Sequence, residues 1–354
     1  MTKVIVGMSG GVDSAVAAYL LKQQGYEVLG VTLRVWGSED EDSRCCEIDE
    51  ARRTCEILDI RYHPHNCTML FDENVVRPFV DEYLQGLTPN PCIECNKYVK
   101  WAKLLELADI FGAEYVATGH YAFVERLDNG RYTVRTADHA AKDQTYMLYK
   151  LTQDQLVRTL MPLGGYTKEE VRKIAREAGL PCADKEDSQE ICFVAEGRYT
   201  DFISDYSSKD LPGEGDFVDR EGNVLGRHKG IYQYTVGQRK GLGIALGYPA
   251  FVTKICPENN TVVLGTEDAL LCDTFLCRDV NWQSIPGIEP GSKIRCLAKA
   301  RYHQPARPAT LELAEGDLLK ITLDEAVKGV SPGQSAVFYD EGGYVIGGGK
   351  ITTA

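Results

Sequence analysis

The sequence predicts an α/β protein, a doubly wound parallel sheet followed by a small, mostly β middle domain and a C-terminal β-barrel. Three observations carry that expectation. The N-terminal part alternates short apolar runs rich in β-branched residues with segments of helical periodicity. A glycine-rich turn joins the first such run to the first helix. Beyond about residue 198 helical periodicity gives way to turn-rich, short alternating runs.

Taken in order, "KVIVGM" is a buried strand, "SGGVDS" a loop and "AVAAYLLKQQG" a helix that stops at Gly25. "EVLGVTLRVW" reads as the next strand and "EIDEARRTCEILD" as a helix. "KYVKWAKLLELADIFG" predicts a long helix and "EYVATGHYAF" a single strand behind it. "YTKEEVRKIAREAGLP" predicts a helix opened by a capping box from Thr167 to Glu170 and closed by Gly179 and Pro181. The expected divisions are residues 1–198, 199–267 and 268–354.

The 354 residues are 44% apolar, enough for several buried cores, and carry a net charge of −13. That charge argues against nonspecific polyanion binding by the molecule as a whole. Two tracts run against it: residues 226–240 and 295–307 each hold four Lys/Arg and no acid, with Tyr232, Tyr234 and Tyr302 interleaved. Such tracts suit an RNA backbone and unstacked bases, and equally suit a solvated sheet face. No run of about twenty apolar residues occurs and the N-terminal apolar stretch is too short for a signal peptide, so a cytoplasmic protein is expected. In that compartment the 12 cysteines are expected to be thiols, each judged singly.

The loop Gly7 to Ser14 lies between a strand and a helix N-terminus, where backbone N–H groups and the helix dipole favour an anion. It is neither GxxxxGK[ST] nor GxGxxG. The chain resembles the N-type ATP pyrophosphatases through "SGGVDS". Through "GMSGGVDS", "TPNPCIECNK", "ATGHYA", "KDQTYML", "SQEICF", "YTVGQRKGLGI" and "ARY" it is similar to the tRNA-specific 2-thiouridylase family.

That resemblance implies an adenine nucleotide α-hydrolase-type sheet and an ATP-dependent tRNA uridine 2-sulfurtransferase. It implies ATP on Gly7, Met8, Ser9, Gly10, Gly11, Val12, Asp13 and Ser14, with Leu33 and Gly119 near the adenosine. Cys192 would carry a persulfide and Cys95 would act as nucleophile. The wobble base would meet Asn90, Pro91 and Cys92, and tRNA would meet His120, Lys142, Asp143, Gln144, Arg301, Tyr302 and Gln334. Partners implied are tRNA and a sulfur-donor protein. Mg2+ is expected with ATP, and Asp13, a hard oxygen donor, is a candidate to help hold it.

Cys95 precedes a helix and is followed by Asn96 and Lys97, surroundings that lower a thiol pKa. Cys92 departs from the family pattern, which has an aspartate there. It could be a tolerated variant, a resolving thiol or a metal ligand. Zinc would need a second pair, and adjacent Cys45 and Cys46 chelate poorly. Cys92, Cys95 and Cys192 together could hold three corners of a [4Fe-4S] cluster. The remaining cysteines read as small buried apolar residues.

Overall fold

The computed structural model describes residues 1–37, 48–185, 191–194, 198–207 and 210–352. The first unit is built on β1 (Lys3–Gly7), β2 (Glu27–Arg34), β3 (Arg61–Asn66), β4 (Tyr115–Ala117) and β7 (Thr159–Leu160), in the order β3-β2-β1-β4-β7, every pairing parallel. Both faces of the sheet are covered. Ile5 of β1 packs in one cluster with Leu29, Val31, Trp101 and Leu104, while its neighbours Val4 and Val6 pack in the other with Ala15, Ala18 and Leu21.

Helix α1 (Val12–Gln23) covers the second face, its small side chains letting it lie close, and α2 (Ile48–Ile57) follows β2. The first face is covered by α3 (Thr68–Phe71), α4 (Arg77–Leu84), α5 (Pro91–Glu94) and α6 (Ala102–Phe111). An antiparallel hairpin, β5 (Ala122–Arg126) and β6 (Tyr132–Thr136), lies outside that sheet. Then come α7 (Gln153–Leu156), α8 (Lys168–Glu177) and α9 (Tyr199–Tyr206). The capping box at Thr167 and Glu170 is present, and Gly179 follows with φ +68°.

Strand order reverses at β1, between β2 on one side and β4 on the other, which opens a crevice at the strands' C-terminal ends. The loop after β1 and the turn after β4 both lie there. Two sequence expectations are corrected at this crevice. The long helix starts at Pro91, earlier than expected, and is π-helical over Cys95–Trp101 before α6 begins. The strand expected over 114–123 is two strands, β4 and β5, with Thr118–Tyr121 between them. Gly119 lies in that break and permits a close approach: a Cβ there would lie 2.6 Å from the Asp13 carbonyl carbon and 2.7 Å from the Ser14 nitrogen.

The middle sheet has the order β10-β11-β8-β9, made of β8 (Gly215–Val218), β9 (Val224–His228), β10 (Phe251–Cys256) and β11 (Thr261–Gly265). The last unit is a closed barrel, β12-β15-β14-β13-β16-β17. It is formed by β12 (Leu271–Trp282), β13 (Lys293–Lys299), β14 (Arg307–Leu313), β15 (Leu319–Lys328), β16 (Ser335–Tyr339) and β17 (Val345–Thr352).

The barrel is welded to the first unit by buried polar contacts. Gln283 is wholly buried; its Nε2 donates to the Leu148 carbonyl at 2.9 Å and its Oε1 accepts from the Val134 N–H at 3.1 Å. Lys350 pairs with Glu82, both mostly buried. No helix among the described residues is long and apolar enough to cross a membrane.

Candidate active site

In the loop after β1, Gly10 adopts φ +81°, a conformation that L side chains resist. The Ser14 hydroxyl donates to the Gly11 carbonyl at 3.0 Å and accepts from the Ser9 N–H at 3.2 Å, closing the loop on itself. Among the described residues no side chain caps α1, which leaves its first amides available to an anion. Asp13 is engaged: Lys168 Nζ lies 2.8 and 2.9 Å from its two oxygens and the Tyr121 hydroxyl donates to it at 2.7 Å. A carboxylate so committed makes a poor direct magnesium ligand, which leaves the indirect role, through water or the phosphates, that was expected of Asp13.

Lys168 was not legible as a site residue. It stands at the first position of α8, 155 residues from the loop, and its side chain is buried against it. It supplies the cation that the loop's own sequence lacks. Leu33, at the end of β2, is buried beside the same crevice, and Gly119 presses on Asp13 and Ser14.

The thiols come from two segments. Cys92 is exposed in α5, whereas Cys95, one turn on, is only 6% exposed and belongs to the core cluster. The widened π-helical turns from Cys95 to Trp101 are of the kind found at functional sites. Cys192 is exposed on a turn closed by the Val194 N–H donating to the Ile191 carbonyl at 3.0 Å. Phe193 anchors that turn. Its ring lies 5.5 Å from Phe71, 5.2 Å from Phe79, 5.3 Å from Phe202 and 6.0 Å from Trp36.

Cys92 sits in a concavity: solvent reaches it, yet the surrounding protein raises its pKa, Lys100 lowers it and the nearby Cys192 thiol raises it again. Lys100 also acts on His120, whose pKa is lowered to about 3 by burial first and by that ammonium second. His120 is therefore neutral, with Nδ1 2.8 Å from the Thr118 hydroxyl and its ring 5.5 Å from that of Trp101. Lys100 is the second residue missed in the sequence. A π-helical segment is what brings it round, and π turns leave no clear sequence signal.

Of the residues expected to meet the base, Asn90 donates from Nδ2 to Met147 Sδ at 3.6 Å, and Pro91 is buried. Neighbouring Asn96 is 2% exposed; its Nδ2 donates to the Met147 carbonyl at 3.0 Å, while its Oδ1 has no partner among the described residues. Lys142, Asp143, Gln144, Arg301, Tyr302 and Gln334, expected to meet tRNA, are all half-buried, and Tyr302 donates to the Asp143 carbonyl at 3.0 Å with Lys299 Nζ 5.9 Å from its ring. The Cys92 thiol is close enough to Tyr302 to add to the rise in its pKa, after burial and Asp143.

Four of them also make contacts within the protein. Asp143 accepts from the Ala137 N–H at 3.1 Å and the Thr145 hydroxyl at 2.7 Å. Gln144 holds Tyr121 through both its side chain and its backbone, at 3.0 and 3.1 Å. Arg301 Nη2 donates to the Val236 carbonyl at 2.8 Å and the Ser331 hydroxyl at 2.6 Å, tying the barrel to the middle unit. Gln334 Nε2 donates to the Thr88 carbonyl at 3.0 Å, steadying the loop that leads to Asn90 and Cys92.

The cluster and zinc readings fare differently. Among the described residues no group of three or more His, Cys, Asp or Glu side chains is placed to hold a metal ion, Cys92, Cys95 and Cys192 included, so a [4Fe-4S] centre has no support. Cys45, Cys46 and the segment Ser188 to Glu190 lie outside the described residues.

Family models match residues 2–196 as a "tRNA methyl transferase HUP domain", 200–266 as a "tRNA methyl transferase PRC-barrel domain" and 272–351 as an "Aminomethyltransferase beta-barrel domain". The chain is 51% identical over 360 residues to a protein of Lachnoclostridium phytofermentans named tRNA-specific 2-thiouridylase MnmA, covering 99% of each. It is 48% identical over 356 residues to one of the same name from Clostridioides difficile, covering 99% of this chain and 98% of that one. Among solved structures, a U34-tRNA thiolase from Methanococcus maripaludis aligns over 58% of this chain and 63% of its own at 23% identity, TM-score 0.35. The chain belongs to the tRNA-specific 2-thiouridylase family.

Proposed function

We propose that the protein thiolates C2 of the wobble uridine, U34, of tRNA in a reaction that consumes ATP to AMP and pyrophosphate. The observation that supports this most is the link between the loop and the thiol segment. Gly119 presses on Asp13 and Ser14 of a phosphate-type loop backed by Lys168, and its neighbour His120 lies in the field of the same Lys100 ammonium as Cys92.

ATP is a substrate here. Gly7 to Ser14 fit its phosphates through backbone N–H groups, with Leu33 and Gly119 bordering the nucleoside. Lys168 offers a positive charge where negative charge develops as pyrophosphate leaves. Magnesium would be carried by the phosphates, given the engagement of Asp13. Attack of uracil O2 on the α-phosphate turns a poor leaving oxygen into AMP. A sulfur carried as a persulfide on Cys192 then replaces it, Cys95 being the family's attacking thiol. A sulfur-donor protein must load Cys192, and the exposure of that turn gives it access. Lys142 and Tyr302 serve as backbone and base contacts for tRNA.

The reaction's stoichiometry tests this reading. Release of pyrophosphate, dependent on tRNA, supports it; release of orthophosphate with ADP refutes it.

A further inference from the structure

Resting on that reading, we infer that Tyr121 is the positioning residue that couples binding of tRNA to the ATP loop. Its side chain is 2% exposed and packs in one cluster with Val12 of α1 and with Ala137. Its hydroxyl donates to Asp13 Oδ1 at 2.7 Å, the same oxygen that Lys168 Nζ reaches at 2.8 Å. A hydrogen bond to an ionised acceptor is stronger than one between neutral groups, so this contact fixes where the Asp13 carboxylate points.

The backbone of Tyr121 is held by the segment that carries Lys142. Gln144 Oε1 accepts from the Tyr121 N–H at 3.0 Å, and the Gln144 N–H donates to the Tyr121 carbonyl at 3.1 Å. Asp143, between Lys142 and Gln144, accepts from the Ala137 N–H at 3.1 Å through its side chain and from the Tyr302 hydroxyl at 3.0 Å through its carbonyl. Tyr302 follows β13 of the barrel. One hydrogen-bonded line therefore runs from the barrel through Asp143, Gln144 and Tyr121 to Asp13, and Lys142 and Tyr302, the two residues proposed to touch tRNA, both stand at its far end.

The line can push and pull. Two residues before Tyr121, Gly119 lies so close to the loop that an added Cβ would come 2.6 Å from the Asp13 carbonyl carbon. The turn between β4 and β5 thus has no room to advance on the loop, and it cannot retreat without breaking the bond from Tyr121 to Asp13. Close-packed contacts of this kind transmit displacement rather than absorb it. A shift of Lys142 and its neighbours on tRNA reaches Asp13, and through Asp13 it reaches Lys168 and the start of α1. Linkage makes the effect reciprocal: nucleotide in the loop favours the arrangement of the segment that holds tRNA.

Paired titrations of the full-length protein test this. The probes are α,β-methylene-ATP, whose α–β bridge resists the proposed cleavage, and a tRNA transcript with unmodified U34. In the wild type, saturating tRNA should tighten the analogue by at least about fivefold, and saturating analogue should tighten tRNA by the same factor. Tyr121→Phe keeps the ring and removes only the hydroxyl, and both ratios should fall below about twofold. Tyr344→Phe removes a hydroxyl that donates to Glu125 at 2.8 Å, away from the line, and should keep the wild-type ratios. Wild-type ratios in Tyr121→Phe overturn the inference, including the case in which the analogue binds more weakly by one factor with and without tRNA. A wild-type ratio near one overturns it whatever the variant does, and so does equal loss of coupling in Tyr344→Phe. Wild-type protein that binds neither the analogue nor tRNA would instead refute the proposed function itself.

Discussion

Lys168 Nζ sits 2.8 and 2.9 Å from the two carboxylate oxygens of Asp13, bringing a cation from α8 to the mouth of the glycine loop. The pair orients both groups. Replacing Lys168 with Met should slow pyrophosphate release by about a hundredfold, the scale for losing one charge at a developing anion. Lys168→Arg should recover part of that loss. Measurement of tRNA-dependent pyrophosphate release at saturating ATP checks it; wild-type rates in Lys168→Met would remove the lysine from the site.

Gly119→Ala should abolish ATP binding while the protein stays folded. The added carbon meets the backbone of Asp13 and Ser14 at 2.6 and 2.7 Å, and backbone cannot rotate aside. Gly25→Ala is the control: its φ is +87° with open space around it, so it costs about 1 kcal/mol of strain and leaves binding intact. Calorimetric titration with ATP distinguishes the two.

His120 has its folded pKa lowered from 6.5 to about 3, so the folded state refuses a proton that the unfolded chain takes up. Its contribution to stability is complete above pH 6.5 and is lost as pH falls toward 3. The limiting slope is about 1.4 kcal/mol per pH unit, reduced because the ring is partly accessible. His120→Gln should flatten urea midpoints across that window, and an unchanged profile would mean that the imidazole titrates normally.

Lys350→Met leaves Glu82 mostly buried without its cation, and its Oε2 already lacks a partner among the described residues. The expected loss is about 3 kcal/mol in chemical denaturation, largely recovered by adding Glu82→Gln. Additive losses in the double variant would show that the two groups are independent.

The first sheet was legible because a parallel strand buried on both faces must be apolar throughout, as "KVIVG" is, and because glycines, caps and C-terminal Gly179 punctuate its helices. Strand β3, "RYHPHN", was not legible. It lies at the sheet's edge, largely exposed, and its apolar content is low. Strand β5 was hidden in what read as one strand with β4, because the close approach of Gly119, between them, to Asp13 and Ser14 joins positions more than a hundred residues apart. The glycine loop and the Cys92–Cys95 pair announced themselves by type and spacing, whereas Cys192 was named by the resemblance alone. Lys168 and Lys100 did not: each is a common helix residue whose function depends on where tertiary packing aims its ammonium.

The most direct measurement is mass analysis of nucleosides from tRNA incubated with the protein, ATP, magnesium and hydrosulfide. The account predicts 2-thiouridine at position 34, one AMP and one pyrophosphate for each sulfur incorporated, and none without ATP. Unmodified U34 despite ATP turnover, or thiolation that proceeds without ATP, would contradict it.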